Sequence, residues 1–344
     1  MARFSVPARS QKTCPTRLLF VLLLYFTTKK GVCQEFSVTS IDKNRKIDYH
    51  IIKQNLKKDL IFMITLKNEQ LTVCVNPMGA ELSSIKTNAS SREYLWQGDP
   101  SVWNGRAPIL FPIAGKLKND TYIYNDKSFT LPKHGFARRN EFSVVTAEED
   151  RAVFTLAESE KTLAAYPFPF RLTAEYALDG KTLTVTNTVH NSGTDTMYFS
   201  FGAHPAFNIN VGDSVVFAEK ETFTTGLFNA EGLLDGEKTL AENTDRLIID
   251  AHIFDNDAIF FENMKSGSAK IVSAEGDDIL EMSYGKVPYL GLWAKPNAPY
   301  VCIEPWFGIC DHPQVSGKIE EKPYIIALAP EKDFVFSYTI TIFN

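Results

Sequence analysis

The stretch R-L-T-A-E-Y-A-L-D-G-K-T-L-T-V-T-N-T-V, residues 171–189, decides the fold class. In an extended backbone Leu172, Ala174, Tyr176 and Leu178 point one way, and Arg171, Thr173, Glu175 and Ala177 the other. Side chains alternate across a strand with period two, so this spacing buries one face and leaves the opposite one polar. Asp179-Gly180 is expected to form a two-residue hairpin turn, with glycine supplying the positive φ that such turns need. The return strand sets Leu183, Val185 and Val189 against Thr182, Thr184, Thr186 and Thr188, and Asn191-Ser192-Gly193 reads as the next turn.

Outward from this hairpin the same period recurs. At the C-terminus Phe334, Phe336, Tyr338, Ile340 and Ile342 alternate with Ser337, Thr339 and Thr341. Helical period is scarce. The best stretch is Glu160–Ala165, stopped by Pro167 and Pro169. Many strands at short spacing predict an all-β sandwich or barrel, built as one large domain without internal repeats or linkers.

Composition narrows the function. The 344 residues are 44% hydrophobic and 22% charged, enough for a sizeable core. The net charge of -5 is spread along the chain, with no basic cluster to track a phosphate backbone, so nucleic acid is not an expected partner. Neither G-x-G-x-x-G nor G-x-x-x-x-G-K-[ST] occurs, which leaves no sequence argument for a nucleotide. Five cysteines at irregular spacing (Cys14, Cys33, Cys74, Cys302 and Cys310) make a poor disulfide framework. The absence of C-x-x-C and H-E-x-x-H patterns gives no pointer to a metal. The 25 Phe, 13 Tyr and 4 Trp suit a β core and also suit stacking on sugar faces.

Residues 1–62 read differently. Leu18 to Phe26 is a short apolar run preceded by Arg9, Lys12 and Arg17, as in a signal peptide. It falls short of the about 20 residues that span a bilayer. Lys29-Lys30 and the lack of an A-x-A site fit export badly, so upstream sequence ahead of a start at Met63 is the other reading. The segment is expected to lie outside the fold, with residues 63–344 as the domain. Without a working signal the protein is expected in the cytoplasm, and with one it is exported.

Four segments interrupt the alternation and set titratable groups beside Gly or Pro, which fix bends and admit close approach. They are Asn104-Gly105-Arg106-Ala107-Pro108-Ile109-Leu110-Phe111-Pro112, Lys133-His134-Gly135-Phe136-Ala137-Arg138, Phe201-Gly202-Ala203-His204-Pro205-Ala206-Phe207-Asn208 and Ile303-Glu304-Pro305-Trp306-Phe307-Gly308. Singly each has a plain structural reading: a histidine beside proline is often structural, a Glu before Pro at a strand end is usually exposed, and Arg106 can simply pair with a carboxylate. His50, His190, His252 and His312 are read as structural.

Together, and in that order, N-G-R-x-P-I-L-F-P, H-G-F-A-R, G-A-H-P-A-F-N and E-P-W-F-G resemble the aldose 1-epimerase (galactose mutarotase-like) family, in particular its LacX-like bacterial branch. The resemblance runs from Met63 to Asn344. It implies a large antiparallel β-sandwich whose concave face holds a sugar. It implies His204 as general acid, Glu304 as general base, His134 as a group holding substrate near the reacting centre, and Arg106 as a sugar-binding arginine. Asp257 matches an aspartate that binds sugar hydroxyls, with Asp255 two residues away and expected on the same strand face.

The implied partner is a small aldose, and neither cofactor nor metal is called for. Opening a hemiacetal needs one group to take the C1 hydroxyl proton while another protonates the ring oxygen, a task for a carboxylate and an imidazole. A glycoside hydrolase would usually show two carboxylates instead. Trp306, Trp293 and Phe207 are candidates for a stacking wall. A hexose-6-phosphate 1-epimerase, using Arg138, Arg139 or Lys116, and a non-catalytic carbohydrate-binding protein are the alternatives.

Overall fold

The computed structural model describes residues 21–27, 33–39 and 61–343. The chain divides into two units, Met1–Leu60 and Ile61–Asn344. In the first, Val21–Thr27 and Cys33–Thr39 form an antiparallel pair. The remainder of residues 1–60, His50 among them, lies outside the described residues, and with it most of the stretch read as signal or upstream sequence. The second unit opens with the strand Ile61–Lys67, two residues ahead of Met63.

The second unit is an all-β antiparallel sandwich. Its main sheet has 15 strands, and the path relevant to the site runs Ile109–Leu110, Phe201–Ala203, Tyr300–Phe307, Tyr289–Trp293, Ile259–Glu262 and Ser214–Phe228. The path continues through Ser268–Val272, Asp278–Ser283 and Asp333–Ile342 to Thr182–Asn191 and Phe170–Asp179. The hairpin that suggested the fold is therefore one wing of the sheet that carries the candidate site.

That hairpin alternates as its sequence requires. Leu172, Ala174, Tyr176, Leu178, Leu183, Val185 and Val189 are buried. Thr186 and Ser337 share a hydroxyl hydrogen bond at 2.8 Å on the opposite face, and Arg151 reaches Glu175 at 2.7 Å. Asn187 also takes a core position. The turn falls one residue later than expected. Asp179 pairs with Thr182, so Gly180-Lys181 form the loop and only Gly180 of the two has positive φ, at 54°. That is the glycine-first form of the two-residue hairpin.

The helix Glu160–Ala165 forms where expected. Ser159 caps it through the Thr162 N–H, and the Ser159 N–H donates to Thr162 Oγ1 at 2.8 Å, satisfying donors that the helix leaves open.

The strand Tyr300–Phe307 behaves otherwise: Tyr300 to Trp306 are buried without a break. Unbroken burial means that both faces are covered, whereas alternation marks a half-solvated strand. Phe111 fixes the neighbouring layer, its ring 4.9 Å from that of Phe170 and 5.7 Å from that of Phe199.

A Cβ on Gly180 meets nothing within 4 Å, so Gly180→Ala carries only the left-handed backbone cost. Thermal unfolding followed by circular dichroism is expected to show a loss of about 1–2 kcal/mol, a Tm lower by about 2–4 °C per kcal/mol. Gly180→Asn is expected to lose less, because asparagine tolerates this region.

Candidate active site

The Tyr300–Phe307 strand pairs with two short strands in turn. Gly202 lies opposite Trp306, and Ala206 lies opposite Cys302. The registers on either side are continuous, so His204 stands directly across from Glu304. Pro205 interrupts the ladder there because it has no N–H to give, while its carbonyl still accepts from the Ile303 N–H at 3.1 Å. The two side chains meet: His204 Nε2 is 3.2 Å from Glu304 Oε2, with the side chains 8% and 2% exposed. Glu304 is thus mid-strand and buried, not the exposed strand-end glutamate that a Glu-Pro pair suggests.

The contact is not aligned as a hydrogen bond. Glu304 Oε2, and His204 Nδ1 on the far side of the ring, are buried without a hydrogen-bond partner. Burial raises the Glu304 carboxyl well above its usual range, with Lys133 opposing and Asp257 adding to the shift. Burial lowers the His204 imidazole, helped by the positive charges of Arg138 and Lys133. Both groups are driven toward their neutral forms.

His134 completes a cluster. Its ring centroid is 5.8 Å from that of His204 and 5.4 Å from that of Trp306. Its backbone N–H donates to the Gly115 carbonyl at 2.8 Å, and the Gly115 N–H donates back to His134 Nδ1 at 3.1 Å. Burial holds the imidazole neutral. With Nδ1 accepting, a neutral ring carries its proton on Nε2 and presents a donor. The clasp depends on Gly135: at φ 65° its Cβ position lies 2.3 Å from the Phe111 carbonyl oxygen, so no other residue fits.

Arg106 is tied in through its backbone. Its carbonyl accepts from the Ala206 N–H, two residues past His204, and its own N–H donates to Glu81 Oε1, both at 2.8 Å. Its guanidinium lies against Gly98, and its Nε is buried without a partner.

Asp257 acts on Glu304 through its charge, whereas Asp255 is engaged by His252 at 2.9 Å. The two do not share a strand face. They lie in a turn ahead of the strand Ile259–Glu262, and Asp257 has φ 78°, which no strand accommodates.

Of the residues expected to make a stacking wall, Phe207 is fully buried and Trp306 nearly so. Trp293 does face the pair, 5.7 Å from the His204 ring. Sequence reasoning missed its companion Trp103, which stacks on His204 at 5.2 Å and meets Trp293 edge-on at 5.2 Å. Its signal was its position, immediately ahead of the Asn104-Gly105-Arg106 segment.

Among the remaining basic candidates, Lys116 Nζ donates to the Glu231 carbonyl at 2.6 Å, and Arg138 donates to the Lys133 carbonyl at 3.1 Å. His190 pairs with Asp333 at 2.8 Å. A separate cavity of about 430 Å³ is lined by Leu117, Tyr122, His312, Lys318, Ile319 and Lys322 and contains no member of this cluster. Its wall holds a buried Lys322–Asp311 ion pair at 2.5 Å, which is structural. No helix among the described residues is long and apolar enough to cross a membrane.

Comparisons with known proteins give the family and the fold. The aldose 1-epimerase family model matches residues 63–340. The protein LacX of Lactococcus lactis subsp. lactis is 36% identical over 298 residues, covering 82% of this chain and 99% of its own. A galactose mutarotase related enzyme from Lactobacillus acidophilus superposes with a TM-score of 0.78 at 29% identity, over 82% of this chain and 97% of that one. A galactose mutarotase-like protein from Lactobacillus casei gives 0.77 at 26% identity, over 82% and 100%. The chain belongs to the aldose 1-epimerase family, and the likeness to galactose mutarotase-like proteins supports a mutarotase-type function.

Two outcomes check the site's physics. Gly135→Ala is expected to cost far more stability than Gly180→Ala, because its neighbour is backbone and cannot give way. Glu304→Gln is expected to raise Tm at pH 8. The carboxyl's folded pKa is raised above its ordinary 4.5, so its ionisation works against folding as pH climbs past that value. The variant's advantage is expected to shrink toward pH 4.5 in melts recorded across that range.

Proposed function

We propose that the protein is a mutarotase that interconverts the α and β anomers of a free hexose, with His204 and Glu304 as its acid and base. The observation that carries this reading is the buried pair itself: an imidazole and a carboxyl 3.2 Å apart, each with a polar atom lacking a partner. A sugar's ring oxygen and C1 hydroxyl are bonded to one carbon, so two groups this close can address both at once.

The proton count supports it. With one proton on the pair, the charged form has Glu304 ionised and His204 protonated. Glu304 takes the C1 hydroxyl proton as His204 gives one to the ring oxygen. The C1–ring-oxygen bond breaks, C1 becomes a carbonyl, and the pair is left neutral with its proton count unchanged. After the carbonyl carbon rotates, closure runs the same transfers backward on the other face. Burial favours the neutral pair and the 3.2 Å contact favours the charged one, so neither form is locked.

His134 donates from Nε2 to a sugar oxygen beside the reacting centre. Arg106 and Asp257 engage hydroxyls, and Trp103 with Trp293 offers an apolar wall for the sugar's C–H face. These chemical steps require only side chains that the chain supplies. All of them lie within 63–340, which supports reading residues 1–62 as outside the catalytic unit.

Polarimetry on freshly dissolved α-glucose and α-galactose tests the proposal. The full chain is expected to speed the approach to anomeric equilibrium. His204→Asn and Glu304→Gln are each expected to lose at least about 10²-fold, the lower end of what one positioned proton transfer contributes, while sugar binding persists. Undiminished turnover in both variants would falsify the acid and base assignment. Acceleration of glucose 6-phosphate alone would move the substrate to a phosphorylated hexose.

A further inference from the structure

Among the described residues, one trio of side chains brings potential metal-ligating atoms together: His204, Cys302 and Glu304, all within 4.8 Å of one another. The sheet builds this trio. Cys302 and Glu304 are two apart on one strand and so share a face, and His204 stands across from Glu304. All three are buried, at 0%, 1% and 7% exposure for Cys302, Glu304 and His204. Nothing in the proposed sugar chemistry uses the Cys302 thiol.

The geometry is close to a coordination shell. Metal–ligand bonds of about 2.0–2.3 Å in a tetrahedron set the donors about 3.5 Å apart. His204 Nε2 and Glu304 Oε2 already stand at 3.2 Å. Glu304 Oε2 is also a buried acceptor without a hydrogen-bond partner. Only the sulfur has to close in.

We propose that His204, Cys302 and Glu304 form a binding site for a thiophilic divalent cation such as Zn²⁺, and that occupancy silences the enzyme by tying up its acid and base. The silencing rests on the mutarotase reading; the site does not. A thiolate, an imidazole and a carboxylate suit zinc and its softer relatives, not Mg²⁺ or Ca²⁺, which take oxygen shells. Three protein ligands leave the fourth position for water or a sugar hydroxyl. On binding, Cys302 releases its thiol proton and the His204–Glu304 pair releases its one shared proton, both to solvent, and no electron moves. The charges of Lys133 and Arg138 reach this region and oppose a cation. Two anionic donors and the nearby Asp257 offset them.

Cobalt(II) as a spectroscopic probe and Zn²⁺ as an inhibitor test the site on the full chain. Co²⁺ is expected to give a thiolate-to-cobalt charge-transfer band in the near ultraviolet that Cys302→Ser abolishes and Cys310→Ser leaves in place. Glu304→Gln, a second variant of nearly unchanged shape, is expected to weaken Co²⁺ binding. In polarimetry the half-inhibiting Zn²⁺ concentration is expected to rise at least about 10-fold in Cys302→Ser, since loss of even an outer partner costs that much.

A band that survives Cys302→Ser, or equal Zn²⁺ inhibition with and without the thiol, overturns the site, as does the absence of both band and inhibition. A Cys302-dependent band in a protein that exchanges no anomers upholds the site and sinks the mutarotase reading instead.

Discussion

Everything in the candidate site depends on a carboxyl held almost out of contact with bulk water. Glu304 sits in the middle of a strand covered on both faces, at 1% exposure, and an imidazole stands 3.2 Å from it across the ladder. A lone charge in such a place is too costly to persist, so the group is driven toward neutrality unless a partner answers it. Continuous register supplies that partner. The ladder opens between Gly202 and Ala206 and resumes without a slip, so His204 keeps its place opposite Glu304. A slip of one residue would turn every side chain to the other face and separate the pair.

The surrounding parts set the field around this pair. Lys133 lowers the cost of the Glu304 charge and Asp257 raises it, so opposing charges bracket the carboxyl. His134 is fixed in orientation and tautomer by two hydrogen bonds to Gly115, which spares a mobile ring the entropy of being ordered by substrate. Trp103 and Trp293 meet edge to face beside the His204 ring, an arrangement that aromatic quadrupoles favour and that keeps the wall rigid. The proposed acid and base are thus held by backbone and packing and not by each other.

Much of this was legible in the chain. The alternation in 171–189 and 333–342 fixes half-buried strands because one face meets core and the other water. The four interrupted segments stand out for a different reason: Tyr300–Phe307 loses its alternation because both of its faces are covered. The same fact hides the burial of Glu304, since a Glu-Pro pair reads as exposed wherever the layer above it is unknown. The turn at Gly180-Lys181 was misread by one residue because register belongs to a pair of strands, whereas Asp179-Gly180 is only a local signal. Asp255 and Asp257 looked like strand neighbours because spacing cannot show a residue at φ 78°. Cys302 carried no distinguishing mark until the fold placed it, and Trp103 only its position ahead of Asn104-Gly105-Arg106. A Cys within an apolar stretch such as Tyr300-Val301-Cys302-Ile303 is core by default.

The trio of His204, Cys302 and Glu304 shows how close an acid/base pair in a dry pocket comes to a metal centre. Both need an imidazole and a carboxyl with open lone pairs and little water, and what separates them is the third group. A hydroxyl or methyl at position 302 would leave the pair a proton-handling device. A thiol two residues from the carboxyl, on the same face, supplies the soft donor that completes a zinc-like set. The features that suit the pair to proton transfer, its burial and its unpartnered atoms, are also those that would hold a cation. The sugar chemistry proposed here gives no reason for a thiol at that position, and cation binding gives one.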